Sequence, residues 1–376
     1  MKKWISLLLA VMMTLSLAAC ARKTQSEDPV VQDAAVFHET EFGGGYIDRT
    51  IDDFNAQGFA YGDSVTVTFS NGYTVENIPY YNGYYTQTGE LLLVAYPGYP
   101  YIKVCVNNGD DFWELAGLSE GDTAVVTLNE RGKYLDIQRA RDIHYTDARE
   151  DYASDAVFAN FRSVQVGDIQ SGMLCRAASP CDNQHNRATY VDALIETAGV
   201  QYIVNLADNK EKIAGYLADS SFATPYVQSL YETGKVIPLA LNMNFGSEDF
   251  RAKIVMGLTA MAEHPGPYLV HCTEGKDRTG FVCMLLEALC GASYDEIVTD
   301  YMITYDNYYG ITQASDPARY DVIVENLLVP MLRTVVGDET VDLTTVDLAG
   351  CAERYLTDAG MGSEQIAALR AQLTGE

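Results

Sequence analysis

Tyr268-Leu269-Val270-His271-Cys272-Thr273-Glu274-Gly275-Lys276-Asp277-Arg278-Thr279-Gly280 joins a short apolar run to an apolar helix. His264-Pro265-Gly266-Pro267 stops the preceding helix, because proline cannot continue one. Tyr268 to His271 then reads as a buried strand. Thr279 to Cys290 reads as a helix ended by Gly291. The loop between them can turn successive backbone N–H groups inward, which makes an anion cradle. The helix N-terminus adds partial positive charge at the same point. Both effects favour thiolate over thiol at Cys272, and the thiolate is the nucleophilic form of cysteine. Gly275 lets the loop turn without side-chain interference. Arg278 offers a planar fork to two oxygens of an oxyanion. Lys276 adds a point charge, and Thr279 can donate a hydroxyl hydrogen bond to the sulfur.

The Cys-x5-Arg spacing alone does not identify this site, because Cys181 and Arg187 share it. That second copy follows Ser179-Pro180 instead of a strand and lacks a glycine. It reads as a loop leading into a helix. Outward from the first copy, strands and helices alternate. A helix over about Arg187 to Ala198 precedes a strand at Tyr202 to Leu206. Val236 to Leu241 is another strand, and Ser247-Glu248-Asp249 caps a helix to about Glu263. Ser293-Tyr294-Asp295-Glu296 has capping-box spacing. The remainder is largely helical, with a loop near Gly337 to Thr345. This pattern predicts an α/β domain over residues 155–376, a mostly parallel sheet flanked by helices.

The preceding stretch, residues 46–150, is predicted to be a small all-β sandwich or barrel-like domain. Val65-Thr66-Val67-Thr68-Phe69 is β-branched and aromatic, and Asn71-Gly72, Asn82-Gly83 and Asn108-Gly109 mark turns. Gly62 to Phe69 recurs loosely as Gly121 to Leu128, a short internal repeat. Tyrosines gather here, among them Tyr73, Tyr80, Tyr81, Tyr96, Tyr99 and Tyr101. Tyrosine suits half-buried strands, so packing is the simpler reading and an aromatic recognition surface the other.

The 376 residues are 48% hydrophobic and carry a formal charge of −27. A core is available, and nucleic-acid binding is excluded as a role, since it needs basic surface. Any anionic substrate must meet a local positive field. Lys2 and Lys3 precede the apolar run Trp4 to Ala18, too short and wrongly flanked for a membrane span. Leu17-Ala18-Ala19-Cys20 resembles a bacterial lipoprotein signal. It implies removal of residues 1–19, lipidation of Cys20 and an extracytoplasmic, membrane-anchored chain. Residues 20–45 are then expected to be a tether. Seven cysteines remain beyond Cys20, too sparse for a disulfide scaffold or a zinc site. Cys283 and Cys290 read as core thiols, and Cys175 with Cys181 is the one pair that a loop could join. No metal or other cofactor is expected, because no group has metal-ligand spacing.

The segment His271-Cys272-x-x-Gly275-Lys276-Asp277-Arg278-Thr279-Gly280 resembles the signature of cysteine-dependent tyrosine phosphatases, in the atypical bacterial branch with Lys-Asp before the arginine. Leu174-Cys175-Arg176-Ala177-Ala178, Tyr202 to Glu211, Asp300-Tyr301 and the tail Tyr355 to Leu373 are similar to other familial segments. The resemblance implies hydrolysis of phosphate monoesters through a cysteinyl phosphate, with Cys272 as nucleophile. Residues Thr273, Glu274, Gly275, Lys276, Asp277 and Arg278 are implied to hold the phosphate. The partner is then a phosphorylated protein, a phosphoinositide or a small phosphomonoester. The family's Asp-Leu-Arg is Asn205-Leu206-Ala207 here. Asparagine cannot supply a proton as a carboxylic acid does, so Asp277 becomes the candidate acid and Asp208 its runner-up. The alternative role for Asp277 is loop bracing by accepting backbone N–H bonds. Two other functions stay open: an inositol-polyphosphate phosphatase, and a non-catalytic surface lipoprotein binding a ligand through the tyrosine-rich region. A rhodanese-like sulfurtransferase ranks lower, because its loop does not require Gly-Lys-Asp-Arg-Thr. The anchor is tested directly: Cys20→Ser is expected to lose detergent-phase partitioning, and unchanged partitioning refutes it.

Overall fold

The computed structural model describes residues 28–376. The expected leader, Cys20 and the first part of the tether lie outside the described residues. The chain divides into two compact units with the main boundary after Lys133; the second also takes Asn82–Leu91 and Val106–Gly109.

The first unit is a closed barrel of seven strands: β1 (Val30–Glu39), β2 (Gly44–Ile47), β3 (Ser64–Phe69), β4 (Thr74–Tyr81), β5 (Leu91–Val94), β6 (Ile102–Val106) and β7 (Thr123–Glu130). Their order is β1-β2-β6-β5-β4-β3-β7, and β7 pairs back onto β1. The alternation in β3 drives the closure, because Val65, Val67 and Phe69 all turn inward and are buried. The sandwich alternative is thereby replaced by a barrel, which leaves no open edge. The two repeat segments are neighbours: β3 and β7 pair antiparallel, with Val67 opposite Val126. Two boundaries need correction. Residues 30–45, expected in the tether, form β1 and the start of β2. Residues 134–150, expected in the β domain, fall in the second unit, including the helix Leu135–Arg141. Hydrophobicity in Val30 to Phe37 is diluted by Gln32 and Asp33, which hides the strand. The tyrosines divide between both readings. Tyr80 is buried and donates to Asn55 Oδ1 at 2.8 Å, whereas Tyr96 is exposed and tilts against Tyr99.

The second unit holds five strands: β8 (Arg162–Ser163), β9 (Leu174–Ala177), β10 (Tyr202–Asn205), β11 (Val236–Pro238) and β12 (Tyr268–His271). Their order is β11-β10-β12-β9-β8. The first four are parallel and β8 is antiparallel. Side-chain alternation gives each face its own cover. Leu174, Val204 and Val270 pack with the helices Glu248–Glu263 and Asp277–Leu289. Cys175, Ile203 and Leu269 pack with Ala188–Thr197 and Pro225–Glu232. The helix after β12 begins at Asp277, two residues before the expected Thr279, so Asp277 and Arg278 open its first turn. The strand expected over Val236 to Leu241 stops at Pro238. All seven described cysteines are free thiols, so Cys175 and Cys181 are not joined. Among the described residues no helix is long and apolar enough to cross a membrane.

One buried charge cluster ties the sheet to the helix Tyr294–Tyr309. Asp300 meets Arg162 at 2.9 Å and Arg176 at 2.8 Å. Burial opposes the charge on Asp300, but the two guanidiniums outweigh it and hold its carboxyl well below the usual carboxylate range. Glu287 is pushed the other way, by burial and then by Asp300. The depressed value means that Asp300 stabilises the fold above its unfolded pKa of about 4 and loses this contribution as acid protonates it. Asp300→Asn leaves two buried cations short of a partner and is expected to cost about 3–5 kcal/mol at neutral pH. Denaturant melts should show the gap to the parent chain narrowing as pH falls below about 4; a gap independent of pH contradicts the ion-pair account.

Candidate active site

β12 lies in the middle of the parallel sheet and ends at His271, so the next residue emerges at the carboxyl edge of the strands. This is where open α/β sheets place ligands. Cys272 sits there, 3% exposed, and residues 272–276 lead directly into the helix Asp277–Leu289. The loop turns at Gly275 with φ +70°. A β-carbon at that position would stand 2.3 Å from the Ala177 carbonyl oxygen. Glycine is therefore required both by conformation and by space. His271 is wholly buried and its imidazole is pushed down to about 4 by burial, so it is neutral. Its Nδ1 donates to the Cys272 carbonyl at 3.1 Å, which pins the backbone of Cys272.

The loop carbonyls are held from outside. Arg176 of β9 donates to the Gly275 carbonyl at 3.1 Å while also gripping Asp300. Asn160, buried and in the left-handed region, reaches the carbonyls of Glu274 and Gly275 at 3.3 Å each. Tyr308 donates to the Glu274 carbonyl at 2.7 Å, and the Ser179 N–H donates to that of Thr273 at 2.9 Å. With carbonyls drawn outward, the loop N–H groups are left for an anion.

Arg278 anchors through Nη1 to the Leu241 carbonyl at 3.1 Å and through Nη2 to Thr273 Oγ1 at 3.4 Å. Among the described residues its buried Nε has no acceptor and the buried Thr279 Oγ1 has no partner. Buried polar atoms are normally satisfied, so two donors beside the loop stand ready for an oxyanion or a sulfur. Lys276 is placed differently from a free point charge. Its Nζ lies 3.1 Å from Glu274 Oε2 and 3.9 Å from Asp277 Oδ2, and it donates to Tyr309 OH at 3.2 Å. Burial works against its charge, but Asp277 and Glu274 outweigh that and keep the ammonium protonated.

Asp277 meets Arg141 at 3.6 Å, and its buried Oδ1 accepts no hydrogen bond. The bracing role expected as its alternative is thus not the one that Oδ1 plays. Asn205 does brace: its Oδ1 accepts the N–H groups of Ala207 and Asp208, and its Nδ2 donates to Asp208 Oδ2 at 3.2 Å. That bond commits one Asp208 oxygen to the same turn.

The second Cys-x5-Arg is a scaffold. Arg187 is buried and spends its guanidinium on Asp147 at 2.7 Å, the Phe158 carbonyl at 2.8 Å and the Thr146 carbonyl at 3.2 Å. Burial pushes the Cys181 thiol up to about 12. Four residues around the loop were not singled out by the sequence: Arg141, Tyr145, Asn160 and Tyr308. None has a local signature, since each reaches the loop across more than thirty positions.

Together the sheet and the loop define a class: a parallel-sheet domain presenting a cysteine in a turn between a central strand and a helix. The chain belongs to the tyrosine phosphatase family, whose model matches residues 158–375. A triple specificity protein phosphatase of Mycobacterium tuberculosis is 29% identical over 126 residues, covering 29% of this chain and 44% of that protein. The chain spans about two-fifths of the length of the curated relatives it matches. Among solved structures, the core catalytic domain of the PP-IP phosphatase SIW14 from S. cerevisiae, in complex with citrate, is 19% identical with a TM-score of 0.27. That match covers 46% of this chain and 91% of the yeast one. TpbA of P. aeruginosa is 16% identical with a TM-score of 0.22, over 57% and 96%.

Because a β-carbon at residue 275 would meet main chain, Gly275→Ala is expected to displace the loop. Vanadate binding, followed by tryptophan or tyrosine fluorescence, should weaken by about tenfold or more, since each hydrogen bond lost to a charged group costs about 1.5–3 kcal/mol. Unaltered binding contradicts the close approach to Ala177.

Proposed function

We propose that this chain hydrolyses phosphate monoesters through a cysteinyl-phosphate intermediate, as a tyrosine or dual-specificity protein phosphatase. The observation that carries the reading is the pair of unsatisfied donors, Arg278 Nε and Thr279 Oγ1, beside a cysteine in a loop whose carbonyls are tied outward. In the first step the Cys272 sulfur attacks phosphorus in line, forming the S–P bond as the P–O bond to the leaving group breaks. Arg278 and the loop N–H groups hold the non-bridging oxygens, where charge is concentrated in the transition state. Asp277 protonates the departing oxygen. In the second step Asp277 takes a proton from water as the water oxygen attacks phosphorus. The S–P bond breaks, inorganic phosphate leaves, and Thr279 donates to the returning thiolate.

Aryl phosphates, which leave most readily, depend least on the acid. The anchor at Cys20 would put this chemistry on the outer face of a bacterial membrane, a placement supported by the leader sequence. The substrates available there are phosphoproteins or phosphorylated lipids.

The two look-alike cysteines give the test. With p-nitrophenyl phosphate, Cys272→Ser is expected to lose turnover by on the order of a thousandfold or more, while Cys181→Ser stays within about threefold of the parent chain. Loss in Cys181→Ser with activity kept in Cys272→Ser overturns the assignment. Vanadate binding without any phosphate release would favour the non-catalytic reading.

A further inference from the structure

Glu274 stands two residues after the nucleophile, and its side chain is fixed on both oxygens. Oε2 is 3.1 Å from Lys276 Nζ, and Oε1 accepts the hydroxyl proton of Tyr145. Tyr145 cannot swing away easily. Its ring stacks on Tyr308 with centroids 4.9 Å apart, and the Arg187 guanidinium lies 4.8 Å from its centre. Arg187 is in turn locked by Asp147 and the Phe158 carbonyl. The scaffold built by the second Cys-x5-Arg thus ends at one carboxylate in the first loop.

The charges around the loop close in pairs. Glu274 takes Lys276, and Asp277 takes Arg141 at 3.6 Å. Among the described residues no carboxylate pairs with Arg278, whose hydrogen bonds go to a carbonyl and a hydroxyl. A single phosphate dianion is matched by that guanidinium, the loop N–H groups and the helix N-terminus. A second phosphate on the same substrate would need another cation within a few ångströms. It would instead meet the Glu274 carboxylate and a lysine already neutralised, and like charges so placed repel. The half-buried rings of Tyr145 and Tyr309 beside the same carboxylate offer an apolar flank that suits an aryl group.

We propose that Glu274 is a specificity determinant that restricts this site to substrates with one phosphate, phosphotyrosine above all, by tying up Lys276 and repelling a neighbouring phosphate. The inference rests on the phosphatase reading above and deepens it.

The experiment compares kcat/KM for a phosphotyrosine peptide and for a short-chain phosphatidylinositol bisphosphate, using the full chain and two variants. The parent chain should prefer the peptide. In Glu274→Gln the ratio of bisphosphate to peptide activity should rise by about tenfold or more, because the repulsive group is removed and Lys276 is freed. Tyr145→Phe keeps the ring and removes only the hydroxyl, so it should move the ratio in the same direction by a smaller factor. It decides the matter if Glu274→Gln does not fold. A parent chain that prefers the bisphosphate overturns the proposal, as does a ratio that is unchanged or lowered in the folded variants. Failure of the underlying reading looks different: no phosphate release from either substrate and no vanadate binding.

Discussion

The loop from Cys272 to Lys276 depends on one close approach, Gly275 against the main chain of Ala177. Without a side chain there, the turn can lie on the end of β9, where Arg176 holds the Gly275 carbonyl at 3.1 Å. A buried arginine needs a counter-charge, and Asp300 supplies it from the helix Tyr294–Tyr309. Asp300 also takes Arg162 of β8, so one carboxylate links the antiparallel edge strand, the parallel sheet and a helix. Asn160 and Tyr308 add their bonds to the same loop carbonyls. The shape of the loop therefore rests on a buried network whose members are drawn from residues 160 to 308 of the chain.

Electrostatics at the site runs against the charge of the whole. At −27 the chain repels anions at long range, and the loop and the first helical turn carry two acidic side chains, Glu274 and Asp277. Attraction comes from short-range sources: backbone N–H groups, the start of a helix and one guanidinium. Such sources act strongly where water is excluded and weakly beyond a few ångströms. For the proposed phosphate substrate this means contact at short range, with discrimination by what surrounds it. Glu274 is paired with Lys276 and Asp277 with Arg141, and it is the first of these that the specificity proposal uses.

Two copies of one spacing show how little a bare motif determines. Cys272 and Arg278 straddle a strand end, a left-handed glycine and a helix start. Cys181 and Arg187 straddle a loop that packs under aromatic rings. The same two residue types form the candidate site in one place and an anchor in the other. What separates them is whether the guanidinium keeps a donor without a protein acceptor, as Arg278 Nε does, or spends its donors on protein, as Arg187 does.

The α/β architecture, the order of its elements and the strand–loop–helix around Cys272 were legible in the sequence, because apolar runs, proline stops and capping residues act over a few neighbouring positions. So was a β region with turns at Asn-Gly. Less was legible where distant partners decide. β1 is too polar at Gln32 and Asp33 to read as a strand, and it exists because β7 and β2 pair with it to close a barrel. Lys276 reads as a free charge and is tied to Glu274; Asp277 reads as a brace or an acid and is found beside Arg141 with an unbonded oxygen. Sequence by itself determined which cysteine stands at the end of a strand. Only the tertiary structure decided the company of each charge around it, because hydrogen bonds and ion pairs are fixed by separation in space, and these partners are brought together by the packing of helices on the sheet.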